Sequence, residues 1–326
     1  MFCGSLGLVT MYETRIRFTK PNRFSEPGTK TEQLRVGKLD KNSWAVSKCE
    51  TLVGVRFRLT KNVTESCFES DHRNRYKEGG LMKGKLIVSL DMTDIAQMKS
   101  LVEKLASRVV YYKIGSIPFT FFGPEIIAYL KEKEKKVMLD LKYHDIPNTV
   151  ARACEGALNM GVDLITVHAS GGFSMLEEAV KAILMGSRRG DSEKPKLLGI
   201  TVLTSIDEAY FSDLFGNVQR TLAEQVIFLA QLARSAGLDG VVASPQEIVP
   251  IRQCCGEDFL IVTPGIRPAQ KDVAQDDQAR TMTPAQAIRS GADYIVVGRP
   301  IVKADDPVAS AEAILKEIEN GYRACT

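Results

Sequence analysis

Asp140 and Lys142 stand two residues apart at the end of an apolar run, Lys136–Lys142, and Asp145 follows three residues later. Residues two apart on an extended strand share a face, so this spacing presents a carboxylate and an ammonium group side by side. Asp91 and Lys113 close two earlier apolar runs, Leu86–Asp91 and Val109–Gly115. Buried charges are costly unless paired, and carboxylates alternating with ammonium groups supply the pairing. A lysine held charged by flanking carboxylates is a ready proton donor, suited to reactions in which charge moves. The alternative use of any one of these charges is a structural salt bridge.

A second set points to an anion. Gly265 and Arg267 follow the run Leu260–Ile266, Gln278 lies further on, and Gly298 and Arg299 end the run Tyr294–Arg299. Glycine lets backbone N–H groups approach an anion, and a following helix adds its positive end. Arginine offers a forked, charge-assisted contact. Taken alone, Gly298-Arg299 is equally a strand-ending turn; with Arg267 and Gln278 it reads as a phosphate grip. His168 ends another run, where a packed or hydrogen-bonded role is the default. The direction of His144 is not set by alternation, and no third ligand accompanies the two histidines, so no metal is expected. Seven cysteines, among them the adjacent Cys254 and Cys255, form no paired CxxC, which reads as reduced thiols.

Eight short apolar runs would have to position these residues: the five named so far and Leu164–Ala169, Leu197–Leu203 and Gly240–Pro245. Between them lie helix-compatible segments such as Thr93–Ala106, Pro124–Lys135, Pro147–Met160 and Ala223–Ala236. Continuous apolar strands alternating with helices imply a parallel sheet buried on both faces. Eight such units in about 240 residues match a (β/α)8 TIM barrel, an α/β fold whose active sites lie at the carboxyl ends of the strands. A doubly wound sheet is the rival, but no GxGxxG follows the first strand. In a barrel, five charges at strand ends are hard to read as a plug, because barrel interiors are filled by branched apolar side chains.

Residues 1–81 differ from the rest. They hold 15 Lys+Arg against 9 Asp+Glu, a net of +6, whereas residues 82–326 carry a net of −3. This segment contains the single tryptophan, Trp44, and shows no sustained helical or alternating period. Its apolar opening is too short for a secretory signal, and its acids fit a transit peptide badly. It is expected to be a poorly ordered extension or a start-site artefact: Lys77-Glu78-Gly79 is compatible with a purine-rich ribosome-binding box shortly before the Met82 codon. The catalytic unit is then 82–326. The net charge of only +3 argues against a dedicated nucleic-acid binder. No stretch approaches the roughly 20 apolar residues of a membrane span.

The run Asp140-Leu141-Lys142-Tyr143-His144-Asp145-Ile146-Pro147-Asn148-Thr149 resembles the DxKxxD signature of the orotidine 5′-phosphate decarboxylase family, bacterial-type branch. Thr263-Pro264-Gly265-Ile266-Arg267, Asp277-Gln278-Ala279-Arg280 and Val297-Gly298-Arg299-Pro300 agree in order, over about residues 85 to 310. The resemblance implies decarboxylation of orotidine 5′-monophosphate in pyrimidine biosynthesis, without a cofactor or metal, by a cytoplasmic homodimer. It implies that Asp91 and Lys113 contact the ribose and order the array, that Asp140 faces the substrate carboxylate, and that Lys142 delivers the proton. Asp145 and Thr149, flanking Ile146, would reach the neighbouring subunit's site. Thr204 would lie near the base, and Arg267, Gln278, Gly298 and Arg299 would hold the phosphate.

Two other readings remain open at this point. A Mg-dependent sugar-phosphate decarboxylase or lyase shares the DxKxxD signature, but needs a further carboxylate near strand 2 or 3, where Lys113 stands. A non-catalytic phosphate-ligand binding protein has no need of Lys142 with its full carboxylate set.

Overall fold

The computed structural model describes residues 84–187, 194–215, 220–268 and 280–323. The extension, Met82 and Gln278 lie outside the described residues. The elements run β1 Leu86–Ser89, α1 Ile95–Leu105, β2 Tyr111–Gly115, α2 Ser116–Phe122, α3 Glu125–Glu132, β3 Lys136–Tyr143, α4 Pro147–Asn159, β4 Leu164–His168 and α5 Phe173–Ser187. They continue with β5 Lys196–Ile200, α6 Glu208–Phe215, α7 Leu222–Ser235, β6 Gly240–Val242, α8 Ile248–Cys255, β7 Leu260–Thr263, α9 Pro284–Arg289, β8 Tyr294–Val297, α10 Arg299–Val302 and α11 Pro307–Arg323. Each strand pairs in parallel with the next, and β8 returns to β1, closing a (β/α)8 barrel.

Alternation along the strands divides the core in two. Ile87, Tyr111, Met138, Leu164, Leu198, Val262 and Val296 pack together inside the barrel. Their neighbours, such as Val88, Tyr112, Leu139 and Ile165, join the larger cluster that the helices cover. Both strand faces are thus dry, which is why the runs read as continuously apolar.

The ladders are shorter than those runs. They stop at Ser89, Ile200, Val242, Thr263 and Val297, several residues before Asp91, Leu203, Pro245, Ile266 and Arg299. Past these points single backbone bonds persist, Leu90 N to Lys113 O, Thr201 N to Val242 O and Ala243 N to Val262 O, before the chains part and rim the mouth. Three helix starts are set by side-chain caps. Asp94 caps α1, accepting from the N–H groups of Ala96 and Gln97 at 2.8 and 3.0 Å. Thr221 with Glu224 and Thr283 with Gln286 form capping boxes on α7 and α9.

A repeated device enters three of the even strands. Gly161-Val162-Asp163, Gly237-Leu238-Asp239 and Gly291-Ala292-Asp293 each follow a helix, with the glycine at φ 70°, 89° and 102°, a left-handed turn that stops the helix. Each aspartate then accepts the N–H of a residue on the preceding strand: Val137 at 2.8 Å, Leu197 at 2.9 Å and Ile261 at 2.8 Å. Each also pairs with a cation, Lys131, Lys196 and Arg252 respectively. The Arg252 guanidinium is nearly buried and also donates to the carbonyls of Gly291 and Phe259. Asp293→Ala would leave that charge underpaired and is expected to lower unfolding free energy by about 3 kcal/mol. Chemical denaturation measures it, and a loss below about 1 kcal/mol would show the pair to be merely superficial.

Candidate active site

Strand alternation aims Lys113 inward two residues above Tyr111, and Asp140 inward two residues above Met138. At the mouth these side chains meet. The Lys113 ammonium lies 3.2 Å from Asp91 Oδ1 and 3.4 Å from Asp140 Oδ2. The same Asp140 oxygen accepts from Lys142 Nζ at 2.9 Å. The order Asp91, Lys113, Asp140, Lys142 therefore alternates in sign across β1, β2 and β3. Asp140 is nearly dry, with an 8% exposed side chain, whereas Asp91 and Lys142 are 46% and 34% exposed. The centre of the chain is desolvated and its two ends open to a cavity.

Lys142 does not sit on a regular strand. Its φ is 51°, and the β3–β4 register shifts between Leu139 and Tyr143. A left-handed lysine costs roughly 1–2 kcal/mol, so the surroundings must hold it. Thr166 does so from β4: its Oγ1 accepts from Lys142 N at 3.0 Å and donates to Asp140 Oδ1 at 3.0 Å. One hydroxyl thus ties the bulge to the buried carboxylate. Strain retained under such support is concentrated at functional sites.

Two further residues shape this end. Ser89 Oγ donates to Asp91 Oδ2 at 2.5 Å and fixes that carboxylate. A Cβ at Gly115 would lie 3.0 Å from both Asp91 Oδ1 and Lys113 Nζ, so a larger residue there would displace the pair.

The cavity measures about 570 Å³. Asp91, Lys113, Asp140 and Lys142 line one side; Arg267, Gly298 and Arg299 line another, with Thr204 on the β5 loop also contributing. Met138, Ile200, Val242 and Val296 supply its apolar surface, and Lys303, at the end of α10, adds a further cation. A carboxylate–ammonium array and a guanidinium pair facing one partly apolar space can hold an anionic ligand with a less polar part between its charged ends.

Other expected site residues lie elsewhere. Asp145, Ile146 and Thr149 are exposed at the start of α4 and do not line the cavity. The Asp145 carboxylate accepts the Ile146 N–H at 2.6 Å. Within one chain the charge array therefore has four members rather than five, because the backbone turns away after the bulge. Gln278 lies outside the described residues. His144 is exposed and its ring stands 5.0 Å from that of the half-buried His168. Burial pulls the His168 imidazole below its ordinary pKa; His144 and Lys142 act in the same sense and Asp140 opposes them. At neutral pH it is uncharged. Among the described residues no group of three His, Cys, Asp or Glu side chains could hold a metal. Cys154 is a buried free thiol.

Sequence alone assigns no role to Ser89, Gly115, Thr166 or Lys303. Ser89 and Thr166 precede Asp91 and His168 by two, so strand parity was the available clue.

The match to a family model described as orotidine 5′-phosphate decarboxylase / HUMPS family covers residues 84–314. The chain is 48% identical over 237 residues to a protein of Moorella thermoacetica named orotidine 5′-phosphate decarboxylase, covering 73% of this chain and 93% of that protein. A protein of the same name from Syntrophus aciditrophicus is 47% identical over 241 residues, 74% of this chain and 95% of that one. Among solved structures, orotidine 5′-phosphate decarboxylase from Lactobacillus acidophilus matches with a TM-score of 0.63 and 39% identity, over 72% of this chain and 98% of that one. With its barrel matched from first strand to last helix, the chain belongs to the orotidine 5′-phosphate decarboxylase / HUMPS family.

Proposed function

We propose that the protein decarboxylates orotidine 5′-monophosphate to uridine 5′-monophosphate in de novo pyrimidine biosynthesis, without a cofactor, and that Lys142 is the proton donor. The observation that carries this reading is the Lys113–Asp140–Lys142 chain facing Arg267 and Arg299 across one cavity. Relatives at 47–48% identity bearing the decarboxylase name support it.

Loss of CO2 from the orotate ring leaves an electron pair on a ring carbon with no ordinary electron sink. Stabilisation must come from charge already in place. The Lys142 ammonium provides positive charge beside the reacting carbon, then transfers its proton there and is recharged from solvent. Asp140, held close by two lysines and Thr166, faces the substrate carboxylate, so it opposes the ground state more than the transition state. Asp91 and Lys113 contact the ribose and order the array. Thr204 lies by the base. Arg267, Gln278, Gly298 and Arg299 hold the phosphate, whose binding energy draws the loops over the base.

The rival sugar-phosphate chemistry needs an added carboxylate near the end of β2 or β3 for its magnesium ion. Lys113 occupies the space between Asp91 and Asp140 with an ammonium group instead. Ultraviolet loss of orotidine 5′-monophosphate, followed with a chelator present, tests the reading. No consumption, or consumption that stops on chelation, overturns it. Arg299→Ala is expected to raise KM by about 10–100-fold, the value of a charge-assisted contact, with kcat changed far less. Unchanged kinetics would move the phosphate elsewhere.

The same reading includes a cytoplasmic homodimer in which Asp145 and Thr149 reach the partner's site, with Ile146 beside them a substrate contact. Their exposure outside the cavity, with Ile146 66% exposed, supports it; a single-chain mass in sedimentation would discard it. Residues 82–326 form the catalytic unit of the proposal, and the family match beginning at residue 84 supports that boundary. Peptides from residues 1–81 in the native protein would remove the start-site explanation. Among the described residues no helix is long and apolar enough to cross a membrane.

A further inference from the structure

Arg280 and Glu247 form an ion pair inside the protein, with 8% and 4% of their surfaces exposed. Glu247 ends the short turn Pro245–Glu247 that follows β6. Arg280 lies on the connection between β7 and α9, four residues before that helix begins. The pair is incompletely satisfied: Glu247 Oε2 and Arg280 Nε are buried with no hydrogen-bond partner. Burial holds the Glu247 carboxyl above its ordinary pKa, against the opposing pull of Arg280 and of hydrogen bonds from Ser244. An apolar pair of similar volume would often be as stable as such an ion pair or more so, and the better-attested use of a buried charge pair is to specify one arrangement.

The surroundings say which arrangement. Arg280 Nη2 also reaches the Leu203 carbonyl at 3.5 Å, beside Thr204 on the loop after β5. Two residues further on, a backbone bridge joins Met282 to the end of the β7 loop: Arg267 N donates to Met282 O at 3.0 Å, and Met282 N to Gly265 O at 3.2 Å. One guanidinium therefore ties together the loops after β5, β6 and β7. Leu203, Thr204, Ala243, Gly265 and Arg267 of those loops line the cavity.

We propose that Arg280, anchored by Glu247, is a positioning residue that sets the Gly265–Arg267 end of the β7 loop against the β5 loop and so couples Arg267 in the cavity lining to Thr204. It touches no ligand itself. The inference deepens the proposed function and rests on that reading for its substrate, but its physical content is the placement of an anion site.

The test is the full-length double variant Glu247→Leu/Arg280→Met, which removes the tie without leaving an unpaired buried charge. Its melting temperature should stay near that of the wild type, while KM for orotidine 5′-monophosphate rises on the order of tenfold or more through misplacement and kcat moves far less. Affinity for inorganic phosphate, measured by calorimetry, should weaken in parallel. Arg280→Lys, which keeps the charge, should recover part of both and serves as the test variant if the double variant loses its cooperative melt. Wild-type KM and wild-type phosphate affinity in a folded variant overturn the inference. So does a fall in melting temperature with unchanged kinetics, which would make the pair purely structural. Wild-type protein that consumes no orotidine 5′-monophosphate overturns the proposed function instead, and the phosphate titration then decides the inference alone; wild-type protein that binds no phosphate overturns it.

Discussion

A Lys142→Ala protein is expected to turn over orotidine 5′-monophosphate at least about 10⁴-fold more slowly than the wild type, since both a general acid and a preorganised charge are lost. The product nucleotide should still bind, because Arg267 and Arg299 at the other side of the cavity are untouched. Folding should survive as well. Asp140 keeps Lys113 at 3.4 Å and Thr166 at 3.0 Å, so the substitution leaves no buried charge alone, and it removes a side chain that is already 34% exposed. Single-turnover absorbance measures the chemical step and calorimetry the nucleotide affinity. Residual turnover within about tenfold of wild type would take the donor role away from Lys142, since general acids contribute roughly 10²–10⁴.

Asp140→Asn should be nearly as damaging for a different reason. Asp140 is the shared acceptor of Lys113, Lys142 and Thr166. An amide at this place leaves two ammonium groups facing one another across a nearly dry position, and loses the charge that opposes the substrate carboxylate. The expected fall in kcat is about 10²–10³, the usual effect of removing one preorganised electrostatic group. The direction of binding separates the two causes. If Asp140 works by opposing the substrate's carboxylate, KM should fall together with kcat, because ground-state strain has been relieved, while affinity for the product, which lacks that carboxylate, stays constant. A variant whose KM rises in step with its product dissociation constant would assign Asp140 only to holding the lysines in place.

Much of this was legible in the sequence because it depends on short-range rules. Eight dry runs separated by helical segments leave few closed solutions, and β8 does pair with β1. Inward alternation from Tyr111 to Lys113 and from Met138 to Asp140 follows from the period of a strand. Where the strands stop pairing was less legible, since apolar residues continue past the ladder to line the mouth. The Gly-x-Asp entry to β4, β6 and β8 is not legible in this way, because each copy has the composition of an ordinary turn and its aspartate bonds to the strand before it only in the folded barrel.

The amino-acid sequence by itself determined the barrel, the end of it that carries chemistry, and the residue types gathered there, because periodicity and strand order are local properties of the chain. Only the tertiary structure decided that Lys142 is reached through a left-handed bulge pinned by Thr166, that Asp145 turns away from its own cavity while the other four charges converge, and that Arg280 joins three loops through Glu247. These depend on distances between segments tens of residues apart in the chain. Such distances are set by how the closed sheet packs, and no local pattern encodes them.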